Sequence, residues 1–130
     1  MRAFGYLAIP FILASTATAA QSEWNHAGRT EVTLSNFKFA PQSIHLQAGQ
    51  PVVLHIVNTS SSRHNFAAKA FFGSATVRAA DAALVSDGSV EVGGHQSVDI
   101  GLVPKAGQYP LKCTHTLHKM FGMSGVIVVS

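Results

Sequence analysis

The sequence predicts an all-β domain, a sandwich or barrel of about seven strands with one short helical insertion. Two observations carry that reading. Apolar and polar residues alternate over short runs, as in PVVLHIVN, where Val52, Leu54 and Ile56 face one way and Val53, His55 and Val57 the other. The runs are punctuated by Gly- and Pro-bearing turns: AGQP, GGHQ and PKAGQ.

Residues 1–20 stand apart from this pattern. Arg2 precedes an uncharged stretch with an apolar centre, FGYLAIPFILA, and small residues at its end, STATAA. That is the layout of a secretory signal peptide, with cleavage expected after Ala19 or Ala20. A retained membrane anchor fits less well, because the apolar stretch is short for a bilayer and Pro10 interrupts it. Residues 21–130 are then a single domain of about 110 residues, enough to bury a core without staples. Export through a cleaved signal implies a periplasmic location and no stable membrane insertion.

Taken in order, 21–29 is a polar lead-in. EVTLSNFKFAP alternates at Val32 and Leu34, then slips phase by one to Phe37 and Phe39, which predicts a bulge or bend near Asn36. SIHLQ is a second strand and PVVLHIVN a third. NTSSSRHN, 58–65, has loop composition. The alanine-rich stretch 66–88 lacks a two-residue period and predicts one or two helical turns, with 81–85 the best candidate. SVEV and SVDIGLV return to strand texture, the latter with Val98, Ile100 and Leu102 on one face and Ser97 and Asp99 on the other. YPLKC places Tyr109, Leu111 and Cys113 on one face, and GVIVV is the last strand. Phe37, Phe39, Phe66, Phe71 and Phe72 read as core, with Phe66 to Phe72 placed to cover one side of the loop after Cys113.

Charge excludes one function class. With Arg2 set aside, eight Lys/Arg face six Asp/Glu, and the basic residues form no run. No nucleic-acid footprint is present.

The chemistry concentrates in CTHTLHKMFGMSGVIVV, 113–129. This stretch holds the only cysteine, two of the seven histidines and two of the three methionines. A lone cysteine in an exported chain has no intramolecular disulfide partner, and a bound metal would protect its sulfur. A thiolate, two imidazoles and a thioether are the donor set of a mononuclear copper centre with a weak axial methionine. Cys113, His118 and Met123 can reach one ion from a single loop, and His64 supplies the second imidazole from elsewhere. A single cysteine or a methionine before a strand is ordinarily a packing residue. The four together, at this spacing and in a β frame, outweigh that reading.

On these residues the chain resembles the cupredoxins, the small blue type 1 copper proteins, over the whole of 21–130. His64-Asn65 resembles the family's first ligand and its following asparagine. YPLKC and GMSGVIVV resemble the strands that bracket the ligand loop. The spacing from Cys113 to His118 to Met123 is most like rusticyanin-type members. The resemblance implies a Greek-key β-sandwich holding one copper ion, Cu(I)/Cu(II), at His64, Cys113, His118 and Met123, with Asn65 tying the ligand loops together. It also implies a monomer that carries single electrons between protein redox partners, such as a cytochrome or an oxidase. Two features depart from the family pattern: Thr116-Leu117 precede His118 where many relatives have proline and glycine, and His115 is an additional histidine.

Those departures leave a second function open, a copper chaperone or buffering protein that passes the ion to an acceptor protein. Cys113, His115 and His118 could together hold Cu(I) or zinc, although a His115 that faces solvent or bonds to backbone is the simpler expectation. Met120 and Phe121 are placed to form an apolar rim beside His118, where the family resemblance implies that electrons leave. Lys112 and Lys119 flank the site as solvated charges that could steer an acidic partner. An oxidase or nitrite reductase would need further histidine-rich centres; no His-x-His pair is present, and the chain is read as a non-enzyme. His26, His45 and His95 have no defensible partner spacing. His55, alternating with Val53 and Val57, is expected to be semi-buried and hydrogen-bonded.

Overall fold

The computed structural model describes residues 24–115 and 121–130, with Ala3 and Gly5 as isolated positions. The rest of residues 1–23 and residues 116–120, including His118, Lys119 and Met120, lie outside the described residues, and with them most of the expected signal segment. Ten strands are present among the described residues, in two five-stranded sheets. The first sheet runs, in spatial order, β2 (Lys38–Ala40), β1 (Gly28–Ser35), β4 (Val52–Asn58), β8 (Ser97–Val103) and β6 (Thr76–Val77). The second runs β3 (Ser43–Leu46), β10 (Ser124–Val129), β9 (Gly107–Lys112), β5 (His64–Ala67) and β7 (Ser89–Val92). Pairing is antiparallel except for β1 with β4 and β3 with β10, which are parallel. The chain crosses repeatedly between layers, and the result is the expected Greek-key sandwich.

Alternation explains the layers. Val32, Leu34, Leu54, Ile56, Ile100 and Leu102 project from the first sheet and are wholly buried, as are Phe66, Val92 and Ile127 from the second. Phe66 packs edge-on against Phe39 and Phe72, and Phe71 against Phe72 and Tyr109. These aromatic contacts weld the helical insertion to the core.

Four local expectations change. The extra strands are short ones, β2 and β6 among them, which carry too few residues to show a period. The phase slip near Asn36 is not a bulge but a two-residue turn between β1 and β2, pairing Leu34 with Phe39. Phe37 occupies that turn with φ of 65° and is 41% exposed, so it is not core. A left-handed residue in a turn is ordinarily Gly or Asn, and SNFK gives no such signal. His64 and Asn65, read as the end of a loop, instead begin β5, because they pair with Val92 and Glu91.

The insertion holds two helical segments, α1 (Lys69–Ser74) and a 3-10 turn over Ala79–Leu84, separated by β6. Buried Asp81 anchors the second. Its Oδ2 accepts from Arg78 Nε at 2.6 Å and from the Gly101 amide at 2.8 Å, tying the insertion to β8. Removing it strands a buried amide and a partly buried guanidinium. Asp81→Ala is therefore expected to lower stability by about 2–3 kcal/mol. Urea denaturation should show a lower midpoint at unchanged slope; an unchanged midpoint would show that water replaces the carboxylate at no cost.

Candidate metal centre

Three of the four predicted donors come from one end of the second sheet. His64 opens β5, Cys113 follows the last residue of β9, and Met123 precedes the first residue of β10. All three are at most 1% exposed. His64 Nδ1 lies 4.0 Å from Cys113 Sγ. The Cys113 amide donates to the Met123 carbonyl at 3.0 Å, closing the base of the loop between them. His118, the fourth predicted donor, lies outside the described residues.

Backbone pairing alone does not hold His64 near Cys113. The ladder between β5 and β9 consists of one pair, Ala67 with Lys112. Continuing that register would set Asn65 opposite Thr114, and there a side chain takes over from the ladder. Asn65 Oδ1 accepts from the Thr114 amide at 2.8 Å, and Nδ2 donates to Thr114 Oγ1 at 2.7 Å and to Glu91 Oε1 at 3.2 Å. Buried at 3% exposure, the amide has its two protons and its oxygen all engaged. It thus splices the His64 strand to the Cys113 segment.

A second set of bonds orients the His64 ring. Nε2 lies 2.9 Å from Ser60 Oγ, whose single proton has two acceptors in reach, Asn58 Oδ1 at 2.8 Å and the Ser62 carbonyl at 3.1 Å. Asn58, 1% exposed, donates through Nδ2 to the carbonyls of Ser62, Val92 and Gly93. The neighbouring 93–95 turn packs closely: a Cβ on Gly94 would lie 2.3 Å from the Ser61 carbonyl oxygen, which is why a glycine stands there. With Nε2 engaged by Ser60, Nδ1 is the ring nitrogen turned toward the thiol.

This arrangement suits a soft metal ion. A sulfur and a nitrogen sharing one ion at about 2.3 and 2.0 Å, with an angle near trigonal, lie about 3.7 Å apart. The 4.0 Å separation of Sγ and Nδ1 matches that spacing. The other ring nitrogen held by a fixed partner is the usual support for a ligating histidine.

Several predicted residues fall elsewhere. His115 Nε2 is 3.0 Å from Glu91 Oε2, a carboxylate contact rather than the backbone or solvent contact expected. Phe121 is 65% exposed and packs on Phe37 with ring centroids 4.5 Å apart. His55, as expected, is partly buried and bonded through Nδ1, to Asp99 on the first sheet. Asn58, Ser60, Glu91 and Thr114 were not singled out from the sequence. Nothing in NTSSS marks which serine will face a histidine, and the Glu91 contact follows from register with Asn65.

The Asn58 amide is expected to be the least replaceable of these supports. Asn58→Asp is nearly isosteric but turns a donor into an acceptor aimed at three carbonyl oxygens. It should cost at least about 3 kcal/mol, measured by thermal or chemical unfolding of the metal-free protein. A loss under about 1 kcal/mol would show that the loop reorganises around a protonated or rotated carboxyl.

Comparisons with known proteins agree with the architecture. Auracyanin B superposes with a TM-score of 0.59 at 22% identity, covering 80% of this chain and 89% of that one. Auracyanin A, described as a "blue" copper protein of Chloroflexus aurantiacus, gives 0.54 at 20% identity, covering 79% of this chain and 100% of that one. McoA multicopper oxidase of Aquifex aeolicus gives 0.61 at 16% identity, over 82% of this chain but 30% of the oxidase. At such identities these structures share a fold with this chain. A search of curated proteins gives no match. The family described as Cupredoxin-like domain matches residues 5–129, nearly the full length. The chain belongs to the cupredoxin-like domain family.

Proposed function

We propose that this protein is an exported single-electron carrier that holds one copper ion at His64, Cys113, His118 and Met123. The observation that carries the reading is the pairing of a buried imidazole Nδ1 with a buried thiol at 4.0 Å, the imidazole's far nitrogen being held by Ser60. Membership of the cupredoxin-like family and the fold shared with a "blue" copper protein support it. Bound copper would supply a Cu(II)/Cu(I) couple of mixed hard and soft ligand preference.

The chain's own residues do the remaining work. Burial of Cys113, His64 and Met123 keeps bulk water from the donors. The Asn65–Thr114 splice and the Asn58–Ser60–His64 chain hold thiolate and imidazole in one geometry, so little has to move when the charge on the ion changes. The exposed Phe37–Phe121 pair, next to the ligand loop, offers an apolar contact for a protein donor or acceptor. Removal of residues 1–20 on export, and a periplasmic location, complete the proposal.

The copper-delivery reading rests on His115 as a spare donor and on Thr116-Leu117, which lie outside the described residues. The Glu91 contact at His115 Nε2 supports the carrier instead.

The decisive experiment adds one equivalent of Cu(II) to metal-free protein and records visible absorption and paramagnetic resonance. An intense thiolate-to-copper band with narrow hyperfine splitting is expected; colourless uptake, or direct reduction to Cu(I), would favour copper handling. Cys113→Ser should abolish the band, and its persistence would sink the assignment of the thiolate. Met123→Gln should retain copper and lower the reduction potential, because a harder oxygen donor favours Cu(II). An unchanged potential would remove Met123 from the ligand set.

A further inference from the structure

Glu91 lies on β7, the edge strand beyond β5, and forms no part of the donor set. Its carboxylate nevertheless reaches both segments that carry donors. Oε1 accepts from Asn65 Nδ2 at 3.2 Å, next to His64, and Oε2 is 3.0 Å from His115 Nε2, two residues beyond Cys113. Arg63 Nη1 lies 3.9 Å from the same Oε2, so the carboxylate faces a cation as well. Asn65 in turn holds both the amide and the hydroxyl of Thr114. Arg63 and Asn65, on either side of His64, and His115 thus converge on one carboxylate, and Thr114 is joined to it through Asn65.

We propose that Glu91 is a positioning residue for the copper loop. It clamps Asn65 from outside, so that the Asn65 amide keeps its grip on Thr114, and it pins His115 to β7. Cys113 is thereby held from its C-terminal side, where the β5–β9 ladder has already ended. The proposal rests on the copper reading above and adds to it a role for His115 as a tether of the loop. The geometry separates this from a stability role. Glu91 is 47% and His115 35% exposed at their side chains, and ion pairs that open to water contribute little to global folding. Their effect should appear where the loop is held, not in the unfolding midpoint.

The His55–Asp99 pair provides a control, because it is also a carboxylate–imidazole contact but lies on the first sheet. Glu91→Ala, Glu91→Gln and Asp99→Asn are compared with the wild type in two measurements. In metal-free protein, amide hydrogen exchange at Thr114 and Cys113 reports the grip on the loop. In copper-loaded protein, the rate of copper loss to a chelator and the position of the charge-transfer band report the donors.

Glu91→Ala should raise exchange at Thr114 and the rate of copper loss by about tenfold, with a displaced band. Glu91→Gln keeps an acceptor for Asn65 but loses the charge facing His115, and should fall between Ala and wild type. Asp99→Asn should change neither measurement. If Glu91→Ala matches Asp99→Asn in both, the Asn65–Thr114 bonds suffice alone and the proposal is overturned. A wild-type protein that takes up copper without the band would overturn the copper reading instead, and the exchange rates of the metal-free protein would still decide the clamp.

Discussion

The structure depends on a join that the backbone does not make. The β5–β9 ladder consists of Ala67 and Lys112, yet the two proposed donors, His64 and Cys113, lie beyond that point. A single asparagine fills the gap. The Asn65 side chain presents to Thr114 the acceptor that a neighbouring strand would have offered, and its own protons are spent on Thr114 and Glu91. An amide is suited to this because it has the donors and acceptor of a peptide group on a short stem. Strands that separate leave room for a metal, and a side-chain amide across the opening keeps the room the same size.

Around that join the molecule has two kinds of order. The core is generic: alternating Val, Ile and Leu from both layers, with a cluster of Phe39, Phe66, Phe71 and Phe72 that would tolerate volume-conserving exchange. The polar chain from Asn58 through Ser60 to His64 is specific, since each member has one partner arrangement that satisfies it. Such chains are costly when half satisfied, and here both Asn58 amide protons are engaged, shared among three carbonyls.

The parts legible in the sequence were those written in residue type and period. Alternation exposed β4 and β8, and the gathering of Cys113, His118 and Met123 in one short stretch exposed the candidate site, because soft donors rarely cluster for packing alone. What stayed hidden was written in register. Glu91 matters because β7 pairs with β5 in one phase, and a slip of one residue would turn it to the other face. Ser60 is one of three consecutive serines, and its role comes from the turn that brings it to His64. Phe37 was misplaced because a turn that reverses the chain and a bulge that bends it produce the same one-residue change of phase.

The outer strands carry a consequence for how the protein meets its own copies. Among the described residues the four edge positions are taken by β2, β6, β3 and β7, of three, two, four and four residues. Of the interior strands, β5 has four residues, and β1, β4, β8, β9 and β10 run from six to eight. An edge so short presents few unpaired amides in a row, and a strand from another molecule would gain little by adding to it. The longest strands, which would offer another chain the most unpaired backbone groups, are kept in the middle of each sheet, so edge-to-edge pairing between copies is disfavoured.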